Sequence, residues 1–481
     1  MLTLLVTADA LRADHLGQYG YHRETMPELS PLLEEGTRYT RAFANGAHTQ
    51  LSVASLLTSR LNGLRTVEEG PTVASALERS GVPTAGIHSN VVVSNYYDRV
   101  AGFGTVHDLT DDSGPVGEPS AAERVRGALT DSFARGLSIA AGTAKRLPDG
   151  LVDPFREAYD RIYPDIADHE PTLYVDAGRV TDLAIEWLEE HDGDAFLWVH
   201  YMEPHRPYGY YDPDPAYVER KPKSHRILEL MAEASLSPES LSEARRDLLV
   251  DLYDSDVRYM SEQIGRLFDH LRSTGRWAET NVVFTADHGE EFGEHGLYYH
   301  RNWPYDELIH VPLVVRTPVG TRRVDDGLQQ LLDVAPTVLD LHGVPLPGSF
   351  EGRPLDIGSD GTDDSGQEVI DTGVESSDGH AGRNEAEGRG VVAASLRDTF
   401  AVAVRTGRWK YIHTDDGEEL LYDLEADPAE RRSVLREYRD VADSLRTRVP
   451  EDVYGIPTVE SRSDREFGRK TERRLEDLGY L

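Results

Sequence analysis

The segment NVVFTAD (281–287) is a short apolar run that ends in polar side chains. A continuous apolar run of this length is typical of a strand buried inside a parallel sheet. The first segment of the chain, LTLLVTAD (2–9), has the same form and ends in the same tripeptide, Thr-Ala-Asp. Two further runs of this kind are VPTAGIHSN (82–90) and AFLWVHY (195–201). Together they predict an α/β domain built on a mostly parallel sheet.

Helical patterns occupy the intervals between these strands. Apolar residues recur at three-to-four spacing in residues 72–81, 177–192 and 254–273, which predicts amphipathic helices. Residues 110–175 fit no strand–helix repeat, so we expect a helical insertion there.

The last third of the chain predicts a second, smaller unit. Residues 355–390 are rich in Gly, Ser and acidic side chains with little to bury, which indicates a flexible linker. This linker would separate a main domain (1–354) from a small C-terminal α+β subdomain (391–481). In that subdomain TFAVAVRTGRWKYIHT and ELLYDLEADPAERRSV read as antiparallel strands followed by a helix.

The composition limits the chemistry and the partners. The 86 acidic residues outnumber the 50 basic ones, five of which are Lys, and the formal charge is −36. Such a surface is suited to concentrated salt, so we expect a halophilic protein. Nucleic acid is not expected as a partner, because its phosphates would be repelled. The chain has no Cys, which excludes disulfides, thiolate nucleophiles and zinc–thiolate sites.

The sequence gives no sign of a membrane segment. Its apolar runs fall short of 18 residues, and no secretory signal is visible before LTLLVTAD. We therefore expect a cytoplasmic protein without a membrane span, while the sequence leaves its oligomeric state undetermined.

Two of the strands end in carboxylates. Asp9 follows the first strand, and Asp287 follows the last one and is succeeded by His288. Ligands of parallel sheets bind beyond the carboxyl ends of the strands, so these side chains would share one edge. An isolated Asp in this position often only caps the next helix, but a matched pair with a His favours a metal site. Oxygen ligands with one imidazole suit Mg²⁺, Mn²⁺ or Ca²⁺, with Zn²⁺ as the alternative.

Thr49 lies where the polar start of GAHTQLSVASLLTSR (46–60) becomes apolar and helical. A Thr at a helix start is usually a cap. Its hydroxyl would also face free N–H groups and the positive end of the helix dipole, which favour an anion. Beside a divalent ion, the hydroxyl could attack phosphorus or sulfur. His205 and His300 would stabilise the developing charge if they converge on Thr49.

Taken in order along the chain, these motifs resemble the sulfatase family of the alkaline-phosphatase-like superfamily. The resemblance extends over nearly the whole chain and includes TADALRADHLGQYGY, FLWVHYMEPHRPY, FTADHGEEFGEHG and YDELIHVPLVV. It implies an α/β/α sandwich around a large, mostly parallel sheet, with a small C-terminal antiparallel sheet and helix. It also implies a divalent metal held by Asp9, Thr49, Asp287 and His288. The substrate contacts that it implies are Asn90, His205 and His300.

The nucleophile motif departs from the family pattern. Sulfatases carry Cys or Ser in C/S-x-P-S-R, oxidised to formylglycine. Here the motif has Thr49 first, Leu51 for Pro, Ser52 retained and Val53 for Arg. Oxidation of Thr would yield a ketone, so no formylglycine is expected. The second Asp of the family's metal loop is Ala10. These changes favour direct attack by Thr on a phosphate mono- or diester, because water can later hydrolyse phospho-Thr.

Three functions stay open on this evidence. The first is a metal-dependent hydrolase of sulfate or phosphate esters of small molecules or glycans, with phosphate esters favoured by the chemistry. The second is a transferase that passes the phospho-group to a glycan or a lipid head group. The third is a non-catalytic protein that binds anionic glycans, in which Thr49 is only a cap.

Overall fold

The computed structural model describes residues 1–61, 70–96, 102–110, 174–300, 303–358, 389–396 and 400–450. The chain divides into two compact units, Met1–Thr110 with Tyr174–Leu481, and Asp111–Leu173. All described residues belong to the first unit. The insertion predicted at 110–175 and most of the linker predicted at 355–390 lie outside the described residues, so both stay predictions.

A large sheet occupies the main part of this unit. In chain order the strands are β1 (Leu2–Ala8), β2 (Gly36–Phe43), β3 (Thr84–His88), β4 (Thr105–Asp108), β5 (Ala195–Tyr201), β6 (Thr280–Ala286), β7 (Glu291–Phe292), β8 (Tyr298–Tyr299), β9 (His310–Arg316) and β10 (Arg323–Gln330). β7 and β8 form a short hairpin, and the other eight form one sheet in the order β10-β2-β9-β6-β1-β5-β3-β4. β9 is antiparallel to β2 and β6, and the other pairings are parallel. The predicted mostly parallel sheet is confirmed.

The four apolar runs singled out in the sequence are β1, β3, β5 and β6. They lie side by side, with β1 between β5 and β6, and every residue of these four strands is buried. The register pairs Ala8 with both Tyr201 and Ala286, so that β1, β5 and β6 end at the same level. The residues that follow these strands are therefore delivered to one edge of the sheet.

Helices cover the sheet. In chain order they are α1 (Ser30–Glu34), α2 (Thr49–Thr58), α3 (Val73–Arg79), α4 (Val91–Tyr96), α5 (Ala177–Glu190), α6 (Ser224–Leu236), α7 (Glu243–Ser273), α8 (Asp306–Ile309) and α9 (Val334–Leu341). α5 packs on α7, and α2 packs on α3, α4 and α9, as expected for the two outer layers of an α/β/α sandwich. None of the described helices has the length and the apolar composition needed to cross a membrane.

The predicted helices are found with one difference in length. α3 and α5 match the predicted segments 72–81 and 177–192 closely. α7 begins at Glu243, well before the predicted start at residue 254. The added turns bury Leu249, Leu252 and Tyr253, so the apolar stripe extends further toward the N-terminus than the sequence pattern suggested.

The C-terminal region forms a second sheet. Its strands are β11 (Val391–Leu396), β12 (Phe400–Arg405), β13 (Trp409–Thr414) and β14 (Glu419–Asp423), all antiparallel, and α10 (Arg439–Arg446) packs on them. The predicted small antiparallel sheet with a helix is confirmed. The helix begins later than the segment EADPAERRSV, since Glu430 adopts a φ of 52°, which an α-helix does not accommodate.

Candidate active site

Asp9 and Asp287 follow β1 and β6 at the common edge of the sheet, and both are fully buried. Asp287 Oδ1 accepts hydrogen bonds from the amides of Ala10 (3.2 Å) and His288 (2.8 Å). Asp9 Oδ2 accepts one from Asn90 Nδ2 (2.6 Å). The other two oxygens, Asp9 Oδ1 and Asp287 Oδ2, are buried and accept no hydrogen bond from the described residues. Each carboxylate therefore offers one oxygen without a proton donor.

His288 adds a nitrogen to these two oxygens. Its Nδ1 lies 2.8 Å from the carbonyl oxygen of Gly289. A carbonyl only accepts, so Nδ1 carries the hydrogen and the neutral ring has its lone pair on Nε2. Nε2 lies 3.5 Å from Asp9 Oδ1 and 3.7 Å from Asp287 Oδ2. Three electron-rich atoms thus face one another in a buried place.

This arrangement lacks positive charge. Burial, and next the neighbouring Asp287 carboxylate, raise the pKa of Asp9 well above its usual value. A divalent cation would supply the missing charge, and two carboxylate oxygens with one imidazole suit Mg²⁺, Mn²⁺ or Ca²⁺. The donor atoms present here therefore fit the metal that the sequence predicts.

Thr49 is the first residue of α2, as the sequence suggested, and His48 occupies the N-cap position before it. Thr49 is fully buried, and its Oγ1 lies 3.2 Å from His288 Nε2. The hydroxyl oxygen of Thr49 therefore lies beside the group formed by Asp9, Asp287 and His288 and adds a further oxygen atom to it.

Three hydrogen bonds fix the start of α2 and the loop before it. Ser52, on the first turn of the helix, donates from its hydroxyl to the carbonyl oxygen of Asp287. The loop before the helix is held by β11: Ala394 accepts from the amide of Ala47 (2.9 Å), and the amide of Leu396 donates to His48 Nε2 (3.1 Å). The C-terminal sheet thus helps to position the predicted nucleophile.

His300 lies next to His288, His205 lies next to His300, and both side chains are fully buried. The ring of His300 is 4.8 Å from that of His288 and 5.2 Å from that of His205, measured between centroids. His300 Nδ1 lies 3.2 Å from Glu290 Oε1. His205 Nδ1 lies 2.8 Å from the carbonyl oxygen of Arg206. Burial, and next Arg206, lower the pKa of His205 well below its usual value, which keeps its ring neutral.

Asn90 has a contact that the sequence did not suggest. Besides donating to Asp9, it accepts hydrogen bonds at Oδ1 from the amides of Val92 (2.8 Å) and Val93 (3.2 Å) at the start of α4. Asn90 therefore links the start of α4 to the carboxylate of Asp9. Its role as a substrate contact stays a prediction.

Sequence reasoning missed His200. The side chain is fully buried near the end of β5, and it lies with Asp9 and Asp287 in a group whose donor atoms are within 4.8 Å of one another. Burial lowers the pKa of His200 to about 4. The available signal was the pairing of β1 with β5, which places His200 beside Thr7, two residues before Asp9.

Ala10 follows Asp9, and its backbone has a defined role. The residue adopts a φ of 61°, which is unusual for a side chain other than Gly. Its amide donates to Asp287, and its carbonyl oxygen accepts from the hydroxyl of Tyr253 (2.8 Å). Tyr253, on α7, was also missed, because no local pattern connects it with the first strand.

Comparison with known proteins gives one family. The family model described as Sulfatase matches residues 2–344. A choline-sulfatase of Rhizobium meliloti (strain 1021) is 31% identical over 228 residues, which are 47% of this chain and 40% of that protein. The multifunctional alkaline phosphatase superfamily protein PehA of Trinickia caryophylli is 26% identical over 289 residues, 54% of this chain and 55% of that protein. The chain therefore spans about half the length of these curated relatives.

A solved structure shows the same fold. The phosphonate monoester hydrolase of Agrobacterium radiobacter superposes with a TM-score of 0.61 at 19% sequence identity. The superposition covers 94% of this chain and 97% of that one. It supports the α/β/α sandwich with a small second sheet as the architecture of the described residues.

Proposed function

The chain belongs to the sulfatase family, and from this membership we propose that it is a metal-dependent hydrolase of phosphate or sulfate esters with Thr49 as nucleophile. One observation carries the proposal. Asp9 Oδ1, Asp287 Oδ2 and His288 Nε2 face one another without a proton donor to either carboxylate oxygen, and Thr49 Oγ1 lies 3.2 Å from that nitrogen.

Asp9, Asp287, His288 and Thr49 would hold the metal. A divalent ion bound there would lower the pKa of the Thr49 hydroxyl and polarise the ester. Thr49 Oγ1 forms a bond to phosphorus while the bond from phosphorus to the leaving oxygen breaks, and the hydroxyl proton leaves with the alcohol. Water then cleaves the Oγ1–phosphorus bond, so that phosphate is released and Thr49 regains its proton.

The two further histidines would act on the substrate. His205, with a neutral ring whose Nδ1 donates to the carbonyl oxygen of Arg206, presents the lone pair of Nε2 as an acceptor. Glu290 fixes the ring of His300 through Nδ1 and is itself held by the hydroxyl of Tyr208 (2.7 Å). Groups that are held rigidly next to the reacting atoms lower the barrier without reorganising.

Phosphate mono- and diesters are the favoured substrates within this proposal. A phospho-Thr intermediate is open to attack by water, whereas a sulfated Thr lacks the exit by elimination that a formylglycine hydrate provides. A choline-sulfatase is similar to this chain in sequence, and a phosphonate monoester hydrolase has the same fold. The transferase and the non-catalytic binding protein stay as predictions that the same experiment separates.

The test compares p-nitrophenyl phosphate, bis-p-nitrophenyl phosphate and p-nitrophenyl sulfate in molar KCl, with metal-free protein and added Mn²⁺, Mg²⁺, Ca²⁺ or Zn²⁺. We expect metal-dependent turnover of a phosphate ester and a loss of at least about 10³-fold in Thr49→Ala. Thr58→Ala is the matched control, because Thr58 lies on the same helix and donates only locally, to the carbonyl oxygen of Ala54 (2.7 Å).

The results of this test distinguish the hydrolase, the transferase and the non-catalytic binding protein. A phosphorylated Thr49 peptide, found by mass spectrometry after rapid quenching, would support the nucleophile directly. Turnover that survives Thr49→Ala would exclude Thr49 as the nucleophile. Metal binding without turnover of any ester would favour the transferase, and absence of both would favour the binding protein.

A further inference from the structure

His200 lies beside Asp9 and Asp287 and can have one of two roles there. It can be a ligand of the metal or a hydrogen-bond donor to Asp9, but not both. Its Nε2 is fully buried, lies 3.5 Å from Asp9 Oδ2 and makes no hydrogen bond with the described residues. As a metal ligand, Nε2 needs a free lone pair. As a donor to Asp9, the same nitrogen needs a hydrogen. The position of the hydrogen on the neutral ring therefore determines the role.

The neighbours of the other ring nitrogen determine where that hydrogen is. His200 Nδ1 lies 2.9 Å from Thr7 Oγ1, and Trp198 Nε1 lies 2.9 Å from the same oxygen. The indole N–H can only donate, so Thr7 Oγ1 accepts from Trp198. Thr7 is buried, and within the described part of the chain Nδ1 is the acceptor that its hydroxyl hydrogen can reach. Nδ1 thus accepts, and the hydrogen of the ring is on Nε2.

The opposite tautomer would be costly. It would leave the buried hydroxyl hydrogen of Thr7 without an acceptor, and it would direct the Nε2 lone pair at a carboxylate oxygen. A buried polar group without a partner has lost its hydration and gained no hydrogen bond in return. The relay from Trp198 through Thr7 therefore fixes the ring of His200.

We infer that His200 is not a metal ligand but a positioning residue, which presents Nε2–H to Asp9 Oδ2. Asn90 donates to the same oxygen (2.6 Å). Asn90 holds this oxygen by its hydrogen bond, and His200 Nε2 faces the same oxygen at 3.5 Å, while the other oxygen, Oδ1, is turned toward His288 Nε2 (3.5 Å). Partners of this kind orient a ligand without touching the metal. The inference rests on the proposed function, because it assigns Asp9 Oδ1 to the metal.

The protonated nitrogen can be observed without any activity. We would record ¹⁵N-histidine NMR spectra of the metal-free protein and assign His200 by the signals missing in His200→Gln. We expect an unprotonated Nδ1 and a protonated Nε2. On saturation with Ca²⁺ or Mg²⁺, the Nε2 signal of His288 should shift while His200 keeps its Nε2 hydrogen. An unprotonated Nε2 in the metal-free protein, or its loss of the hydrogen on metal binding, would overturn the inference.

Variants test the relay. Thr7→Val removes the donor to Nδ1, so we expect mixed tautomers of His200 and a metal Kd raised about 10- to 100-fold, with recovery in Thr7→Ser. Thr3→Val is the matched control, since Thr3 is a buried Thr on the same strand whose hydroxyl accepts from Asn281 Nδ2 (3.2 Å). An unchanged tautomer and Kd in Thr7→Val would overturn the relay.

The NMR spectra distinguish a failure of the proposed metal site from a failure of the role assigned to His200. If no signal shifts with any divalent ion, the proposed metal site fails. If His288 shifts and His200 behaves as a ligand, the metal site stands and the role assigned to His200 fails.

Discussion

Two buried clusters of charge differ in how their carboxylates are neutralised. In the C-terminal cluster, defined by Asp306, Arg405, Lys410 and Glu430, the ammonium group of Lys410 lies 2.7 Å from Asp306 Oδ1 and 2.8 Å from Glu430 Oε1. Arg405 Nη2 lies 3.1 Å from the second oxygen of Asp306. The strand-end cluster, defined by Asp9, Asp287 and His288, has no Lys or Arg in ion-pair contact among the described residues, and two of its oxygens accept no hydrogen bond.

The pKa directions of Asp306 and Asp9 follow this difference. Burial alone would raise the pKa of Asp306, but Lys410 and Arg405 outweigh burial and hold that pKa below its usual value. Burial and Asp287 act together on Asp9 and raise its pKa well above the usual value. A buried carboxylate that is paired with the chain's own cations stabilises the fold, whereas one without them is suited to an external cation.

The largest effect on stability should come from removing the central cation of the C-terminal cluster. Lys410→Met leaves the buried Glu430 and the half-buried Asp306 with Arg405 as the remaining cation of the cluster. We expect the free energy of unfolding to fall by about 3–5 kcal/mol, measured by urea denaturation. Arg431→Met, which removes a positive charge from an exposed position, should change stability by less than about 0.5 kcal/mol. Equal small effects in both variants would contradict the structural role of the cluster.

The second effect is the stabilisation of the fold by bound metal, which should depend on the strand-end cluster and not on the C-terminal cluster. At a metal concentration 100 times Kd, binding adds about 2.7 kcal/mol to the free energy of unfolding, and chelation removes it. We expect Lys410→Met to keep this increment and Asp287→Asn to lose it, as measured by thermal unfolding with and without EDTA. An increment that persists in Asp287→Asn would place the metal elsewhere.

The third effect is a pH dependence of the C-terminal cluster. Burial outweighs the opposing effect of Lys410 and raises the pKa of Glu430 from 4.5 to about 7. The folded protein therefore holds this proton more tightly than the unfolded chain, so the stabilising contribution is complete below pH 4.5 and is lost as the pH rises through 7. Between pH 5 and pH 8 the wild type should lose on the order of 2 kcal/mol relative to Glu430→Gln. Parallel stability curves for the two proteins would contradict this assignment.

The smallest effect is on the free energy of unfolding in the absence of metal. We expect removal of a carboxylate charge to change it in opposite directions in the two clusters. In metal-free protein, Asp9→Asn removes a charge that Asp287 repels, so we expect a gain of about 1 kcal/mol in the free energy of unfolding. Asp306→Asn removes a charge that is paired, and we expect a loss. Urea denaturation in EDTA measures both variants, and a loss in Asp9→Asn would show that its charge is already compensated within the chain.

The residues of the strand-end cluster could be predicted from the sequence. Continuous apolar runs predicted β1, β5 and β6, and the rule for parallel strands placed Asp9 and Asp287 at one edge. Thr49, His205 and His300 were singled out by motif, and the fold brings Thr49 and His300 next to His288 and His205 next to His300.

The remainder depends on contacts between distant segments. His200 lies in a strand buried on both faces, where an alternating pattern carries no information about which side chains meet the site. Tyr253 reaches Ala10 from a helix about 240 positions away. The φ of 61° at Ala10 and the docking of β11 beside His48 are likewise set by tertiary contacts, which no local pattern encodes.

The most direct test of the central claim is a calorimetric titration of metal-free protein with Mn²⁺. The wild type and Asp287→Asn would be titrated, with Asp306→Asn as the control from the other cluster. We predict one binding site in the wild type and in the control, and a loss of binding in Asp287→Asn. Absence of binding in the wild type, or equal binding in Asp287→Asn, would contradict the assignment of the strand-end cluster as a metal site.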